Sequence, residues 1–209
     1  MKIIYFLRTA QYPYQIKGED LYDSFDAVAT RKLDLGIQKT KDQLFAKTFE
    51  DIEQIYCSPT KRSIQTAFLI GNPQVREELR EVFYSMKNFI SKNKFFEDGE
   101  PNVTKARKAF VSALIANELR ESYTSVIRRI EQFLKQLQTT QGNSLVFSHG
   151  FFLKILEAYI RDTSIKSQPK KLLKYFSGET ETFHFLEGFT VKEHNGKYIF
   201  ESYIRKEQI

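Results

Sequence analysis

The sequence predicts an α/β domain with a mainly parallel sheet. Short apolar runs, typical of buried strands, alternate with segments of helical periodicity along the 209 residues. This order is typical of a parallel sheet with helices on its faces. Two of the apolar runs, residues 3–7 and 145–147, stop abruptly at polar residues. The chain contains no internal repeat, low-complexity tract or Gly/Ser linker, so we expect a single domain over residues 1–209.

The first third of the chain predicts two strands and two helices. The first strand covers about residues 2–7, a helix follows Gly36, and a second strand spans residues 51–58. Pro59 fits the first turn of the next helix, because its fixed φ is helical and no N–H is needed from it there. That helix runs to about Ile70 and ends at a Gly-Asn-Pro sequence. The inward-facing candidates of the earlier helix are Ile37, Leu44 and Phe45.

Residues 87–104 interrupt this alternation. They are polar and irregular and include a glycine and a proline. We interpret them as an excursion over the edge of the sheet that serves as a lid or cap, after which helical periodicity resumes.

The second half carries the strongest periodic signals. Residues 121–138 place apolar side chains at steps of three and four, which predicts a helix with one buried stripe. A turn then leads to a strand at 145–148 and a helix at 151–160. The C-terminal segment alternates and contains Asn195-Gly196, a strong hairpin signal, so we expect two strands there. The buried stripe consists of Tyr123, Val126, Ile127, Ile130, Phe133, Leu134 and Leu137.

The formal net charge of +6 favours anionic ligands, namely phosphate, nucleic acid or a membrane surface, without choosing among them. Four lysines crowd residues 166–174, and we interpret them as a solvated face. No nucleic-acid recognition motif accompanies them. Nucleic-acid binding through the basic surface is therefore kept only as a third hypothesis.

The single cysteine, Cys57, cannot form an intrachain disulfide, so a reducing compartment is the easier location. Only five apolar residues separate Lys2 from Arg8, which is too short for a signal peptide or a membrane span. We therefore expect a cytoplasmic protein without a membrane partner.

Three predicted strand ends deliver cationic or imidazole side chains. The first strand ends at Arg8, the second leads into a helix with Arg62 in its first turn, and the later strand delivers His149. Ligands of parallel sheets bind beyond the carboxyl ends of the strands, so we expect these side chains to meet. Two guanidiniums and an imidazole suit a phosphoryl group, because the arginine fork matches phosphate oxygens and helix N-termini add N–H donors.

These residues lie in motifs that resemble the histidine phosphatase superfamily, also called phosphoglycerate-mutase-like. Members carry Ser-x-x-x-Arg-x-x-Gln-Thr-Ala, which SPTKRSIQTA resembles, and Val-x-Ser-His-Gly, which VFSHG resembles. Their opening Arg-His-Gly keeps only its arginine, Arg8, in LRTAQ, and their Leu-x-Glu segment is similar to LRE at Glu81. The resemblance spans roughly residues 2–160 and implies a three-layer α/β/α sandwich. Other matching positions are Leu33, Gly36, Gln38, Ser58, Gln65, Thr66, Ala67, Leu79, Glu121, Ser122, Val146, Ser148 and Gly150.

The resemblance implies a mechanism. In the family, the His of Arg-His-Gly attacks the phosphoryl group, and the two arginines and the second histidine hold its oxygens. An acidic residue protonates the leaving oxygen and then activates water. Glu81 is the acidic candidate, with Glu77 and Glu78 as close alternatives. The positions that correspond to the family's catalytic residues are Arg8, Thr9, Arg62, Glu81 and His149.

The nucleophile position is the point of departure from the family. Thr9 stands where the family has histidine, and Ala10 replaces the following glycine. A threonine hydroxyl is a weak nucleophile without a base, and its phosphate ester would be among the slowest bonds to hydrolyse. The methyl group of Ala10 would intrude if the backbone there needs a positive φ. His149 is an alternative nucleophile, but its family role places it beside the phosphoryl group rather than in line.

Two principal hypotheses follow. The first is a protein that binds phosphate or a small phosphorylated ligand through Arg8, Arg62 and His149 with little or no turnover, in a sensing, sequestering or protein-binding role. The second is an active phosphomonoesterase in which Glu81 directs water at the phosphoryl group while the arginines stabilise charge. Neither requires a metal ion or a cofactor, and we expect none.

Overall fold

The computed structural model describes residues 1–10, 49, 51–82, 96–97, 100–101, 103–177 and 183–205. The helix predicted after Gly36 lies outside these residues. The apolar periodicity of the sequence and the residues at the helix ends account for the helices among the described residues. The helices are α1 (Lys61–Phe68), α2 (Val103–Ile115), α3 (Tyr123–Gln138) and α4 (Gly150–Arg161), with 3-10 helices at Glu77–Leu79, Thr163–Lys166 and Pro169–Phe176.

The strands of the described residues form one six-stranded sheet and one small hairpin. Those of the main sheet are β1 (Lys2–Arg8), β2 (Ile52–Cys57), β3 (Gln74–Val75), β6 (Asn143–Ser148), β7 (Gly188–His194) and β8 (Lys197–Ile204). Their order across the sheet is β3-β2-β6-β1-β7-β8. The small hairpin pairs β4 (Phe96–Glu97) with β5 (Glu100–Pro101).

The sheet is mixed, so the prediction of a mainly parallel sheet is wrong in this respect. The pairs β1–β6, β2–β6 and β2–β3 are parallel, whereas β1–β7 and β7–β8 are antiparallel. The physical reason is the tight turn at Asn195-Gly196, where both residues have positive φ (52° and 78°). Such a turn joins antiparallel neighbours. The predicted C-terminal hairpin is therefore confirmed, and β7 of this hairpin joins the main sheet beside β1.

Side chains alternate across the sheet and fill a core on each face. Ile4 and Phe6 of β1 pack into the larger core, to which α2, α3 and α4 contribute. Tyr5 and Leu7 point to the opposite face, where α1 contributes Ala67. All seven residues of the predicted α3 stripe are buried. Helices thus cover both faces of the sheet, in keeping with the expected three layers.

The predicted excursion at residues 87–104 is only partly within the described residues. Its later portion forms the β4–β5 hairpin and the start of α2 at Val103. A lid or cap function for this stretch stays a prediction. None of the helices in the described ranges is both long and apolar enough to cross a bilayer.

Candidate functional site

Three parallel strands end at the same level of the sheet and bring the predicted site residues together. Arg8 of β1 is in register with Ser148 of β6, and Cys57 of β2 is in register with Phe147. The backbone amide of Thr9 donates to the Ser148 carbonyl over 3.0 Å, which extends the ladder by one residue. The residues that follow these strands therefore meet at one edge, as the sequence predicts.

His149 lies at the centre of this edge and is almost fully buried, with 1% of its surface exposed. It is the N-cap residue of α4. Its Nδ1 lies 2.6 Å from Arg62 Nη2, and its Nε2 lies 2.8 Å from Ser58 Oγ and 3.3 Å from Thr60 Oγ1. Both ring nitrogens thus have polar partners.

The contact with Arg62 determines the tautomer of His149. A guanidinium has donors but no acceptor, so Nδ1 must accept and Nε2 must carry the proton. Burial, followed by the charges of Arg62, Arg8 and Arg129, lowers the pKa of His149 well below its usual 6.5. The imidazole is therefore neutral and donates from Nε2 to Ser58 Oγ. Because Nε2 is protonated, His149 cannot act as a base towards the Ser58 hydroxyl.

Arg62 reaches His149 from the first turn of α1. The start of this helix is fixed to β6 through Ser63, whose Oγ donates to the Phe147 carbonyl over 3.0 Å and accepts from the Ser58 amide over 3.1 Å. Thr66 Oγ1 donates to the Arg62 carbonyl over 2.7 Å and accepts from the Ala10 amide over 3.2 Å. These hydrogen bonds join the end of β1, β6 and α1 into one rigid corner. They come from the segment that resembles Ser-x-x-x-Arg-x-x-Gln-Thr-Ala.

Arg8 reaches the same corner from β1 and packs against the start of α4. A methyl group placed on Gly150 would lie 3.2 Å from Arg8 Nε and 3.3 Å from its Cδ. Arg8 Nη1 donates to the Phe183 carbonyl over 2.6 Å, and its Cζ lies 4.1 Å from the centroid of the Phe185 ring. Sequence reasoning missed both phenylalanines, since no local pattern connects residues so far from Arg8.

Glu81 is the acidic residue that faces this corner. Its Oε1 accepts from the Val82 amide over 3.0 Å and from the Phe152 amide in the first turn of α4 over 2.9 Å. Burial raises the pKa of Glu81, while those hydrogen bonds and the charges of Arg62 and Arg8 oppose the rise. Glu81 therefore lies close enough to both arginines to feel their charge.

The two neighbouring glutamates point elsewhere. The Glu77 side chain is 72% exposed and lies 3.9 Å from Arg80. Glu78 Oε1 accepts from Gln136 of α3 over 3.2 Å. The 3-10 turn at Glu77–Leu79 makes these side chains point in different directions. Of the three sequence candidates, only Glu81 is directed towards Arg8 and Arg62.

A buried ion pair braces the turn that carries Glu81. Arg129 binds Glu121 in a bidentate manner, at 2.8 Å through Nε and 2.9 Å through Nη2. Its Nη1 donates to the carbonyls of Glu78 and Arg80 over 2.6 and 3.0 Å. Arg129 also stacks on the Phe152 ring, with its Cζ 4.8 Å from the centroid. Sequence reasoning singled out Glu121 but missed Arg129, whose signal is a charge within the apolar periodicity of α3.

Thr9 and Ala10 follow β1 directly. Thr9 is buried, with 1% of its surface exposed. Among the described non-glycine residues, positive φ occurs at Asp51, Asn117, Leu186 and Asn195, so the Ala10 backbone is not in the left-handed region. Its methyl group therefore creates no backbone strain in this structure.

Two further features make no part of the contacts described above. Lys166 binds Glu131 over 2.7 Å and Lys174 binds Asp162 over 3.3 Å, so these two cations of the 166–174 cluster are paired with acids. The only cysteine, Cys57, is buried and free of disulfide, and burial raises its pKa to about 11. Within the described ranges, no group of three or more His, Cys, Asp or Glu side chains is arranged to hold a metal ion.

Comparison with solved structures shows a shared fold at low sequence identity. A phosphoglycerate mutase from Bacillus anthracis superimposes with a TM-score of 0.61 at 15% identity, covering 99% of this chain and 94% of that one. A mycobacterial glucosyl-3-phosphoglycerate phosphatase gives 0.64 at 13%, covering 98% and 99%. A histidine-to-alanine mutant of a phosphoserine phosphatase from Entamoeba histolytica, in complex with phosphoserine, gives 0.50 at 14%, covering 100% of both chains.

Sequence comparison assigns the family. No curated protein sequence matches the chain. The model of the histidine phosphatase superfamily (branch 1) matches residues 36–177, which is more than half of the chain and includes Arg62, Glu81 and His149. Arg8 and Thr9 precede the matched residues, and Phe183 and Phe185 follow them. The chain belongs to the histidine phosphatase superfamily.

Proposed function

We propose that this protein binds phosphate or a small phosphorylated ligand at Arg8, Arg62 and His149, and that it turns over phosphate esters slowly or not at all. The observation that carries the proposal is the convergence of the Arg8 and Arg62 side chains beside His149 and the start of α4, at the carboxyl edge of the sheet. A tetrahedral dianion needs several N–H donors from different directions. Arginine forks and the N-terminal turn of α4 supply them.

The charge balance of the corner favours an anion. Arg8, Arg62 and Arg129 all act on His149, and burial keeps His149 neutral rather than adding a fourth cation. Glu81 is the opposing acid; burial raises its pKa, while two backbone hydrogen bonds and the charges of Arg62 and Arg8 oppose the rise. A phosphate dianion would therefore enter a site in which positive charge exceeds negative charge.

The reduced turnover follows from Thr9. In the family a histidine accepts the phosphoryl group, whereas Thr9 offers a hydroxyl, which is a weak nucleophile unless a base removes its proton. His149 is not a replacement, because Nδ1 accepts from Arg62 and Nε2 is protonated. Ser58 is not one either, since the imidazole beside it already donates to its Oγ. Binding without transfer is thus the chemistry that these side chains support best.

The Entamoeba histolytica relative supports separating binding from turnover. In that structure a mutant that has lost a histidine is in complex with phosphoserine. A phosphatase fold of this kind can therefore hold a phosphomonoester in the absence of a histidine side chain.

Calorimetric titration with inorganic phosphate at fixed ionic strength tests the proposal. Wild-type protein is expected to bind phosphate with a millimolar or lower dissociation constant, and Arg62→Ala is expected to weaken binding by at least tenfold. Arg128→Ala, which removes an exposed arginine from α3, is the matched control for loss of one positive charge. Equal affinity of wild type and Arg62→Ala, or no binding at millimolar phosphate, contradicts the proposal.

Residual phosphomonoesterase activity is the second candidate function, and the position of Glu81 favours it. Both amide donors bind Oε1 of this half-buried carboxylate, so Oε2 is the oxygen that would orient water for attack on a phosphoryl group held by Arg8 and Arg62. Such an enzyme would be a phosphoric monoester hydrolase that works by positioning and charge stabilisation alone.

Release of phosphate from a panel of small esters distinguishes the two candidates. Activity that Glu81→Gln and Arg62→Ala both remove would support hydrolysis by the protein. Activity that persists in purified Arg62→Ala would point to a contaminating phosphatase.

A further inference from the structure

A short turn outside the family-matched residues contacts Arg8 from the β7 side of β1, the side opposite β6. The Arg8 amide donates to the Glu187 carbonyl over 2.8 Å, and the Leu186 amide donates to the Arg8 carbonyl over 3.0 Å. The Phe183 carbonyl accepts from Arg8 Nη1 over 2.6 Å, and the Phe185 ring lies 4.1 Å from Arg8 Cζ. Residues 183–187 therefore contact both the backbone and the guanidinium of Arg8.

This turn is itself firmly anchored. Phe183 has no exposed surface, and its ring packs 5.6 Å from the Phe189 ring, measured between centroids. Glu187 Oε2 accepts from the His184 amide over 2.9 Å and pairs with Arg205 at 3.2 Å. Leu186 has a positive φ of 62°, which reverses the chain. The turn is thus held by β7 and β8 and presents Phe185 to Arg8 in a defined place.

The ring of Phe185 acts on the guanidinium through its face. The N–H donors of a guanidinium lie in its plane and point from its edges, whereas its faces carry no donor. A ring over one face attracts the cation and restricts its rotation, and it leaves the edges directed at a ligand. Arg8 Nε and Cδ occupy the space that a side chain at Gly150 would need, so the guanidinium lies between the ring and the start of α4.

We infer that Phe185 is a positioning residue for phosphate recognition, one that holds the Arg8 guanidinium in the orientation in which its edge meets the phosphate oxygens. This inference rests on the proposed phosphate site and adds a residue to it that lies beyond residues 36–177. Phe185 acts through Arg8 and is not itself a ligand-binding group.

Three substitutions at this position separate the ring from simple packing. Phe185→Leu keeps apolar bulk but removes the π face, and the dissociation constant for inorganic phosphate is expected to rise about three- to tenfold. Phe185→Tyr keeps the ring and is expected to bind phosphate within about twofold of wild type. Phe185→Trp also keeps a ring, and it introduces the only tryptophan of the chain. Its fluorescence is expected to change on phosphate addition with the dissociation constant that calorimetry gives.

The β7–β8 hairpin, which follows this turn, offers a matched control. Phe200 stacks on Arg161, with the Arg161 Cζ 4.6 Å from its ring centroid, at the opposite end of α4 from Gly150. Phe200→Leu removes an equivalent arginine–ring contact and is expected to leave phosphate affinity unchanged.

The outcomes distinguish failure of this inference about Phe185 from failure of the proposed phosphate site. Unchanged phosphate affinity in folded Phe185→Leu, or a loss that Phe185→Tyr does not rescue, overturns the inference and leaves the proposed site in place. If the wild-type protein does not bind phosphate, both the inference and the proposed phosphate site are wrong. If Phe185→Leu does not fold, the tryptophan variant decides: fluorescence that is insensitive to saturating phosphate overturns the inference.

Discussion

Arg62 donates from Nη2 to Nδ1 of His149 across 2.6 Å, and this one contact fixes the proton of the imidazole on Nε2. The consequence is chemical. The histidine at the centre of the site acts as a neutral hydrogen-bond donor and neither as a base nor as a cation. In the proposed phosphate site the two arginines supply the charge, while both ring nitrogens of His149 are engaged, Nδ1 by Arg62 and Nε2 by Ser58 and Thr60.

The buried neutral state of His149 predicts a specific pH dependence of stability. The pKa of His149 is lowered in the folded protein, so the unfolded chain takes up this proton first as pH falls through about 6.5. Wild type therefore loses about 1.4 kcal/mol between pH 7.5 and 5.5 from this residue. His149→Gln has no imidazole at this position and lacks that loss. The difference in free energy of unfolding between wild type and His149→Gln, measured by urea titration, should therefore narrow by about 1.4 kcal/mol from pH 7.5 to pH 5.5.

An exposed histidine supplies the control for that measurement. His194→Gln removes an imidazole from the β7–β8 turn instead. A stability difference between wild type and His149→Gln that is constant with pH would show that His149 is not held neutral.

Placing a histidine at position 9, where the resemblance puts the family's nucleophile, should restore chemistry. Thr9→His is expected to raise phosphate release from small esters about 100-fold or more and to form an acid-labile phosphoenzyme, since a histidine accepts the phosphoryl group and returns it to water. The Ala10 backbone is unstrained, so a second change to glycine is unnecessary. Thr9→Asn is the control. A folded Thr9→His protein with wild-type rates would mean that position 9 is not in line with the bound phosphoryl group.

Gly150 is expected to separate binding from stability. Alanine suits the first turn of α4, which favours folding by up to about 1 kcal/mol, and displacement of the Arg8 side chain offsets this gain, so the net change in stability should be small. Its methyl group would lie 3.2 Å from Arg8 Nε and push the guanidinium aside, so phosphate affinity should fall at least threefold. Calorimetry and thermal melting of Gly150→Ala measure the two effects. In an Arg8→Ala background the same change should have no further effect on affinity, and an equal effect there would exclude a route through Arg8.

Glu81 should oppose phosphate in a pH-dependent manner. Its carboxylate, when ionised, repels the dianion, so Glu81→Gln is expected to bind phosphate about five- to tenfold more tightly at pH 8. Burial raises the pKa of Glu81, so acidification neutralises it in wild type and the two affinities should converge as pH falls. Glu78→Gln, whose carboxylate faces α3, is the isosteric control. A ratio of affinities that does not change with pH would argue against a charged Glu81 at the site.

Cys57 should be inert in the folded protein. Burial raises the pKa of its thiol to about 11, so only about one thiol in a thousand is ionised at pH 8. A thiol reagent such as Ellman's reagent should therefore react at the rate of unfolding, and immediately in denaturant. Rapid stoichiometric labelling of the native protein would contradict this.

Local sequence signals predicted the elements with strong periodicity. The steps of three and four in α3, the apolar runs of β1 and β6, and the Asn195-Gly196 turn are each decided within a few neighbouring residues, and all are found in the structure. The meeting of Arg8, Arg62 and His149 could be predicted as well, because the carboxyl ends of parallel strands share an edge.

The remaining features depend on contacts between distant residues. An alternating pattern of apolar residues does not specify the direction of a strand. The antiparallel pairing of β7 with β1 could therefore not be predicted from residues 188–194. The choice of Glu81 over its two neighbours depends on a single 3-10 turn and on a hydrogen bond to Phe152. The contacts of Arg129 with Glu78 and of Phe183 with Arg8 join residues 51 and 175 positions apart.

The position of β1 between β6 and β7 has a consequence for biosynthesis. A ribosome makes β1 first, yet the hydrogen bonds of this strand join it to residues about 140 and more positions later. Closing loops of that length is slow, and until then both edges of a nearly all-apolar strand stay open to other chains. The nascent polypeptide therefore needs protection for most of its synthesis, and the corner formed by Arg8, Arg62 and His149 is completed only after the turn at residues 183–187 has emerged.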